Sequence, residues 1–248
     1  MNRRIKDDSG KLALDVISAS DATLLAMAHE LKSPLCLIRQ LSLFLENNEL
    51  PLADSRRYLD QIALVSERGL RLVSDLSKVG QIDQLSFELE PLSPAEVCRQ
   101  VAQEIAGFYQ LNGRYLKLKV NQRQHYLATA NYGLLKSILI NFCDNALYYS
   151  DQSHPVEMSI SLNKKLQKIR VAVRDRGPKL PKAVWRGLKG RQPIGLQKMS
   201  SRPLSSGLGI YLANRFAVAM NAEIGGVAHS DGATFYIDLN LSKQLSLL

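Results

Sequence analysis

Leu24, Leu31, Ile38 and Leu45 recur every seven residues, and Met27, Pro34 and Leu41 stand between them at the three-four spacing of a heptad. Apolar residues at that interval share one stripe of an α-helix. A strand cannot present them together, because its side chains alternate with period two. The segment is therefore helical, with one apolar face. A second stripe, Ile62, Val65, Gly69, Leu72, Leu76 and Val79, follows a polar break at Asn47-Asn48-Glu49-Leu50-Pro51. Asp54 or Ser55 is placed to cap its start. Two helices joined by so short a break form an antiparallel hairpin, and one hairpin alone buries two such stripes poorly. A homodimeric four-helix bundle is one solution; packing of the hairpin on its own C-terminal domain is the other.

Near the start of the first helical segment stands Ala28-His29-Glu30-Leu31-Lys32-Ser33-Pro34-Leu35. If the apolar stripe holds positions a and d, His29 falls at f, farthest from the seam, and its imidazole meets water. The position one turn after His29 is Ser33, which excludes the His-Glu-x-x-His zinc site. Pro34 removes a backbone donor and favours a kink.

Length and composition fit one or two domains: 248 residues, 46% hydrophobic. No apolar run reaches the roughly 18 residues of a membrane span, and Met1–Asp8 carries no signal-peptide core. Cys36, Cys98 and Cys143 are odd in number and lack metal-ligand spacing, so they read as reduced residues of a cytoplasmic chain. Charge is uneven. Residues 1–92 hold 11 Lys/Arg and 14 Asp/Glu, whereas residues 93–248 hold 21 and 9. Within 164–202 thirteen basic residues accompany one acid, Asp175. Such a run suits nucleic acid or a polyphosphate ligand equally. No recognition-helix motif or stacking aromatic cluster supports nucleic acid.

The hairpin gives way near Gly80–Pro94, where Ile82–Glu90 turns strand-like. The division expected is a hairpin domain at 1–82, a linker at 83–92 and a second domain at 93–248. Ser93-Pro94-Ala95-Glu96 is a helix start with proline at N1 and a capping box, and Asn112-Gly113 ends that helix. Strands are expected at Tyr115–Val120, Tyr126–Ala130, Val156–Leu162, Lys168–Arg174, Glu223–Ala228 and Thr234–Leu239. Helices are expected at Tyr132–Tyr149 and Ser206–Met220, with an irregular basic loop after Pro178. Helices on one face of a mixed sheet make an α/β sandwich.

Three segments of this second domain carry chemistry. Asn141 and Asn145, four apart, share a helical face, and their amide oxygens suit a hard cation that also touches phosphates. Asp175 ends an apolar strand and is followed by Gly177. Gly207 and Gly209 open a helix, where phosphates can approach backbone amides and the positive helix end.

In order along the chain these segments resemble the catalytic core of sensor histidine kinases. Residues 28–35 resemble the phosphoacceptor box, whose proline Pro34 matches. Asn141–Ser150 resembles the N box, Asp175–Gly177 the Asp-x-Gly start of the G1 box, Ser205–Leu212 the G2 box, and Gly232-Ala233-Thr234-Phe235 a closing glycine box. The resemblance spans about 20 to 240 and implies a Bergerat-type ATPase fold, shared with Hsp90-like ATPases, gyrase B and MutL proteins. It implies ATP and magnesium as cofactors. His29 would be the phosphoacceptor, Glu30 would orient it, and Ser33 would be placed for phosphatase chemistry. Asn145 would be the magnesium ligand, and Asp175 would read adenine. The implied partners are a second copy of the chain and the receiver domain of a response regulator. Three positions depart from the pattern: Tyr148 where lysine or arginine is common, Lys179 for the second G1 glycine, and Ser205 for the first G2 glycine. These departures leave open a pseudokinase or phosphotransfer scaffold.

Overall fold

The structure, a computed structural model, describes residues 9–82, 87–120, 126–150, 153–177 and 208–243. Two long helices come first, α1 (Ser9–Asn47) and α2 (Leu52–Ile82). His29 therefore lies at the middle of α1 and not near its start. The heptad reading holds along the described side chains of α1: Met27, Leu31, Pro34, Ile38, Leu41 and Leu45 are all half-buried, with mostly exposed residues between them. The helix runs through Pro34. Gly69 of α2 faces the proline ring, where an added Cβ would stand 3.8 Å from its Cβ and Cγ.

The end of α1 is closed by Asn47 and Asn48, whose amides donate to the carbonyls of Leu43 and Phe44 at 2.8 and 2.7 Å. At the start of α2 the carbonyl of Pro51 accepts from the amides of Asp54 and Ser55, both at 3.0 Å. The expected caps Asp54 and Ser55 thus already lie inside the helix. Phe44 and Tyr58 pack across this closed end with ring centroids 5.0 Å apart.

The remaining chain is a mixed sheet with helices against one face. It comprises β1 (Glu90–Leu92), α3 (Pro94–Leu111), β2 (Leu116–Lys119), β3 (Ala128–Ala130), α4 (Tyr132–Tyr149), β4 (Val156–Asn163), β5 (Lys168–Asp175), α5 (Leu208–Ala219), β6 (Glu223–His229) and β7 (Gly232–Leu241). Of the strand-like stretch expected over Ile82–Glu90, the described residues form a strand from Glu90, which continues to Leu92. The helical pattern persists through Ile82, because Leu76 and Val79 still face apolar neighbours. Sheet order is β1-β3-β7-β5-β4-β2, with β6 also on β7. Only β2 and β4 pair in parallel; the other neighbours are antiparallel.

Alternation decides which face is covered. Ile169, Val171 and Val173 of β5 and Ala233, Phe235, Ile237 and Leu239 of β7 point inward and are buried. Their neighbours Arg170 and Asp238 point outward and pair through two bonds of 2.7 Å. The covering helices contribute Val101, Ile105, Leu135, Leu139, Phe142 and Phe216. The Tyr109 hydroxyl donates to the Cys143 carbonyl at 2.7 Å and ties α3 to α4. Ser93 accepts from the amide of Glu96, with Pro94 at the first turn of α3, as its sequence predicts. Among the described residues no helix is long and apolar enough to cross a membrane.

Candidate active site

Helix α4 is fixed at its start by Asn131, whose side chain accepts from the Leu134 amide at 3.1 Å. Its periodicity then sets Asn141 and Asn145 on one face, toward the first turn of α5. A Cβ placed on Gly209 would stand 3.3 Å from Asn141 Oδ1 and 3.8 Å from Asn145 Nδ2. Glycine is thus what lets the helix start approach both asparagines. The amide nitrogen of Asn145 is buried and finds no hydrogen-bond partner among the described residues. A buried donor left unpaired costs about 1–3 kcal/mol, and a bound ligand is one way to satisfy it. The first turn of α5 reaches the same corner.

Asp175 ends β5 in the buried interior, at 2% exposure. One carboxylate oxygen accepts from the amide of Ala233 at 3.1 Å. The partner strand can come this close because of Gly232. Its φ of +141° is one that side chains disfavour, and a Cβ there would lie 2.3 Å from the Asp175 carbonyl oxygen. The closing glycine box therefore positions the aspartate. The sequence carried that signal in the register of the last strand, and the reading left its role unassigned. Gly177 lies two residues on, past Arg176. Gly207, Lys179 and Ser205 lie outside the described residues, as does the basic loop, and the same holds for the side chain of Tyr148.

His29 is exposed on α1, as its f position predicts; Glu30 is half-buried and Ser33 exposed. The histidine helix is not remote from the second domain. Ala26 and Met27 pack against the buried core, and both α1 and α2 touch α5.

One group of residues escaped the sequence reading. Asp75 of α2 is buried against α4. Its carboxylate accepts from Ser137 Oγ at 2.7 Å, from Lys78 Nζ at 3.0 Å and from Asn141 Nδ2 at 3.4 Å. Lys78 also donates to Ser137 at 2.9 Å. Nearby, Arg68 pairs with Asp144 at 3.3 Å. Burial raises the Asp144 carboxyl above its ordinary value, and Arg68 draws it back. The available signal was Asp75 three residues after Leu72 and four before Val79, a carboxylate on an apolar stripe.

Comparison with known proteins places this geometry in a class. Residues 130–243 match the family of histidine kinase-, DNA gyrase B- and HSP90-like ATPases. A hybrid signal transduction histidine kinase K of Dictyostelium discoideum is 25% identical over 250 residues, covering 93% of this chain and 20% of that protein. The adaptive-response sensory kinase SasA of Parasynechococcus marenigrum is 25% identical over 225 residues, covering 90% and 57%. Among solved structures, full-length ShkA in complex with AMPPNP superposes with a TM-score of 0.57 at 23% identity, over 92% of this chain and 47% of that one. The histidine kinase AdeS of Acinetobacter baumannii gives 0.56 at 17% identity, over 87% and 98%. These two share the fold. Most of the second domain thus matches an ATPase family that includes histidine kinases. With the hairpin before it, the chain is similar in make-up to the catalytic cores of sensor histidine kinases. It spans a fifth to just over half of the length of these two curated relatives.

Proposed function

We propose that this chain transfers the γ-phosphoryl group of ATP to His29 and then to an aspartate of a response regulator receiver domain. The observation that carries the reading is the approach of Gly209 to Asn141 and Asn145, taken with Asp175 at the end of β5. It combines an unpaired buried amide, a helix start free of side-chain obstruction, and a buried carboxylate at a strand end. Asp175 suits an adenine amino group as hydrogen-bond donor. Asn141, Gly177 and Gly209 are assigned to the approach to the phosphates, and the family resemblance gives Gly207, outside the described residues, the same role. Among the described residues no cluster of three His, Cys, Asp or Glu side chains could hold a metal. A magnesium ion that takes the Asn145 amide oxygen, phosphate oxygens and water needs no such cluster, and when bound it neutralises charge on the transferred group.

His29 attacks the γ-phosphorus with a ring nitrogen as the bond to the β-phosphate oxygen breaks, and ADP leaves. Glu30 orients the ring and receives its other proton. The receiver carboxylate then displaces the imidazole from phosphorus. Ser33, exposed one turn on, is placed to orient a water for the reverse hydrolysis. Two copies of the chain pair through their hairpins, and the setting is the cytoplasm. The division into 1–82, 83–92 and 93–248 accompanies this assignment.

The test is labelling with γ-labelled ATP. His29→Ala should abolish acid-labile label while ATP binding is unchanged; label retained in that variant would overturn the assignment. The departures at Tyr148, Lys179 and Ser205 favour a second reading, a scaffold with weakened ATP use. No ATP binding by the wild type at millimolar concentration would establish it.

A further inference from the structure

The carboxylate of Asp75 belongs to the hairpin, yet it ends on a side chain of the nucleotide corner. Asn141 Nδ2 faces two acceptors, the Ser137 carbonyl at 3.0 Å and Asp75 Oδ2 at 3.4 Å. An amide has one donor end and one acceptor end. Turned over, Asn141 would set its oxygen against both a carbonyl and a carboxylate. The two acceptors therefore fix the amide with Oδ1 on the far side, where a Gly209 Cβ would stand 3.3 Å away. That is the side on which phosphates approach the helix start. Asp75 is itself held by Ser137 and Lys78, so the carboxylate has little freedom to follow a turned amide.

We infer that Asp75 is a positioning residue for the nucleotide site, acting through Asn141. Docking of the ATPase domain on α2 brings the carboxylate against α4 and presets the Asn141 oxygen toward the phosphates. The corner is then complete only in the docked arrangement, in which α1 also touches the second domain. Binding of nucleotide and docking on the hairpin thereby favour each other, since each is strengthened by the other. The inference rests on the nucleotide site proposed above.

A double-mutant cycle in the full chain tests it, with calorimetric titration of magnesium and a non-hydrolysable ATP analogue as the probe. Asp75→Asn replaces the carboxylate with an amide that can face either end of Asn141. It should weaken binding about tenfold, the effect of losing a charge-assisted hydrogen bond. In the Asn141→Ala background the same change should have no further effect. An equal loss in both backgrounds would mean that Asp75 acts by packing or docking alone, and would overturn the inference. So would an unchanged affinity for Asp75→Asn. Ser137→Ala provides a second route if Asp75→Asn does not fold. It frees the carboxylate without removing it, and should weaken binding about threefold, again only where Asn141 is present. The underlying site is checked separately by Asp175→Asn. No binding by the wild type would overturn both readings. Wild-type binding that Asp175→Asn abolishes, joined to equal losses in the two Asn141 backgrounds, would overturn only the role of Asp75.

Discussion

The hairpin and the ATPase domain face the same burial problem and solve it to different extents. Among the described side chains of α1 and α2 only Val65, Val79 and Asp75 are buried. In the ATPase domain each inward position of β5 and β7 is closed off, and helices α3, α4 and α5 cover it. The hairpin instead leaves Leu25, Leu35, Leu37, Phe44, Leu59 and Leu70 exposed. Leu35 falls at e, and Leu37 and Phe44 at g, so they flank the seam and do not lie opposite it. A broad apolar stripe of this kind is the pattern of a helix with neighbours on more than one side. One domain thus closes its core within the chain, whereas the described side chains of the hairpin leave apolar surface uncovered.

The largest expected effect lies in the complete domain. Phe142 is fully buried and packs on Phe235 at 5.8 Å between centroids. Phe142→Ala should cost about 3–5 kcal/mol, read as a lowered chemical-denaturation midpoint of the ATPase domain. The paired change in the hairpin should behave in the opposite way. Leu35→Glu with Leu37→Glu removes no buried side chain, so the unfolding midpoint of the ATPase domain should stay in place. Light scattering should nevertheless fall from about twice the 27.6 kDa chain mass to the chain mass itself. An intact dimer in that variant would count against the four-helix bundle.

A smaller effect concerns a contact within the ATPase domain. Asp175→Asn keeps shape but removes the charge that accepts from Ala233. ATP should bind roughly ten- to a hundredfold more weakly, with guanine nucleotides less affected. Ser93→Ala, which removes the cap of α3, should cost about 1 kcal/mol and leave nucleotide binding alone.

The same contrast explains what could be read from the sequence. Heptad spacing announced the hairpin because helical periodicity needs no knowledge of the partner. The exposed place of His29 followed from that spacing alone. Alternation in β4 and β5 located the sheet, and Ser93 and Asn112 marked helix ends; the Asn131 cap of α4 was not singled out. The end of the hairpin expected at residue 82 coincides with the end of α2 at Ile82. What escaped was relational. The Asp75–Ser137–Asn141 contact joins residues about sixty apart, and nothing local to Asp75 announces its partners. Gly232 was placed in a motif, but its purpose, the close approach of β7 to Asp175, depends on register between strands.

The smallest effect compares the regions through their thiols. Cys36 is exposed on the hairpin, whereas Cys98 and Cys143 are buried in the ATPase domain. Burial pushes the Cys98 thiol up to about 12 from 9.0, against a weaker opposing pull from Arg99, and Cys143 is raised for the same first cause. The reactive form is the thiolate. Alkylation of the native protein at pH 8 should therefore modify one cysteine, Cys36, quickly, and the other two only as fast as the ATPase domain opens. Mass spectrometry of the time course reads this directly. The raised thiol also sets a sign for pH. The folded state holds the Cys98 proton more tightly than the unfolded state does. Its contribution to stability is thus fully present below pH 9 and is lost as pH rises toward 12. Cys98→Ala should flatten that part of the alkaline stability curve of the ATPase domain and leave the oligomeric state of the hairpin unchanged. Rapid native labelling of Cys98 at pH 8 would show that this domain is less closed than its buried core implies.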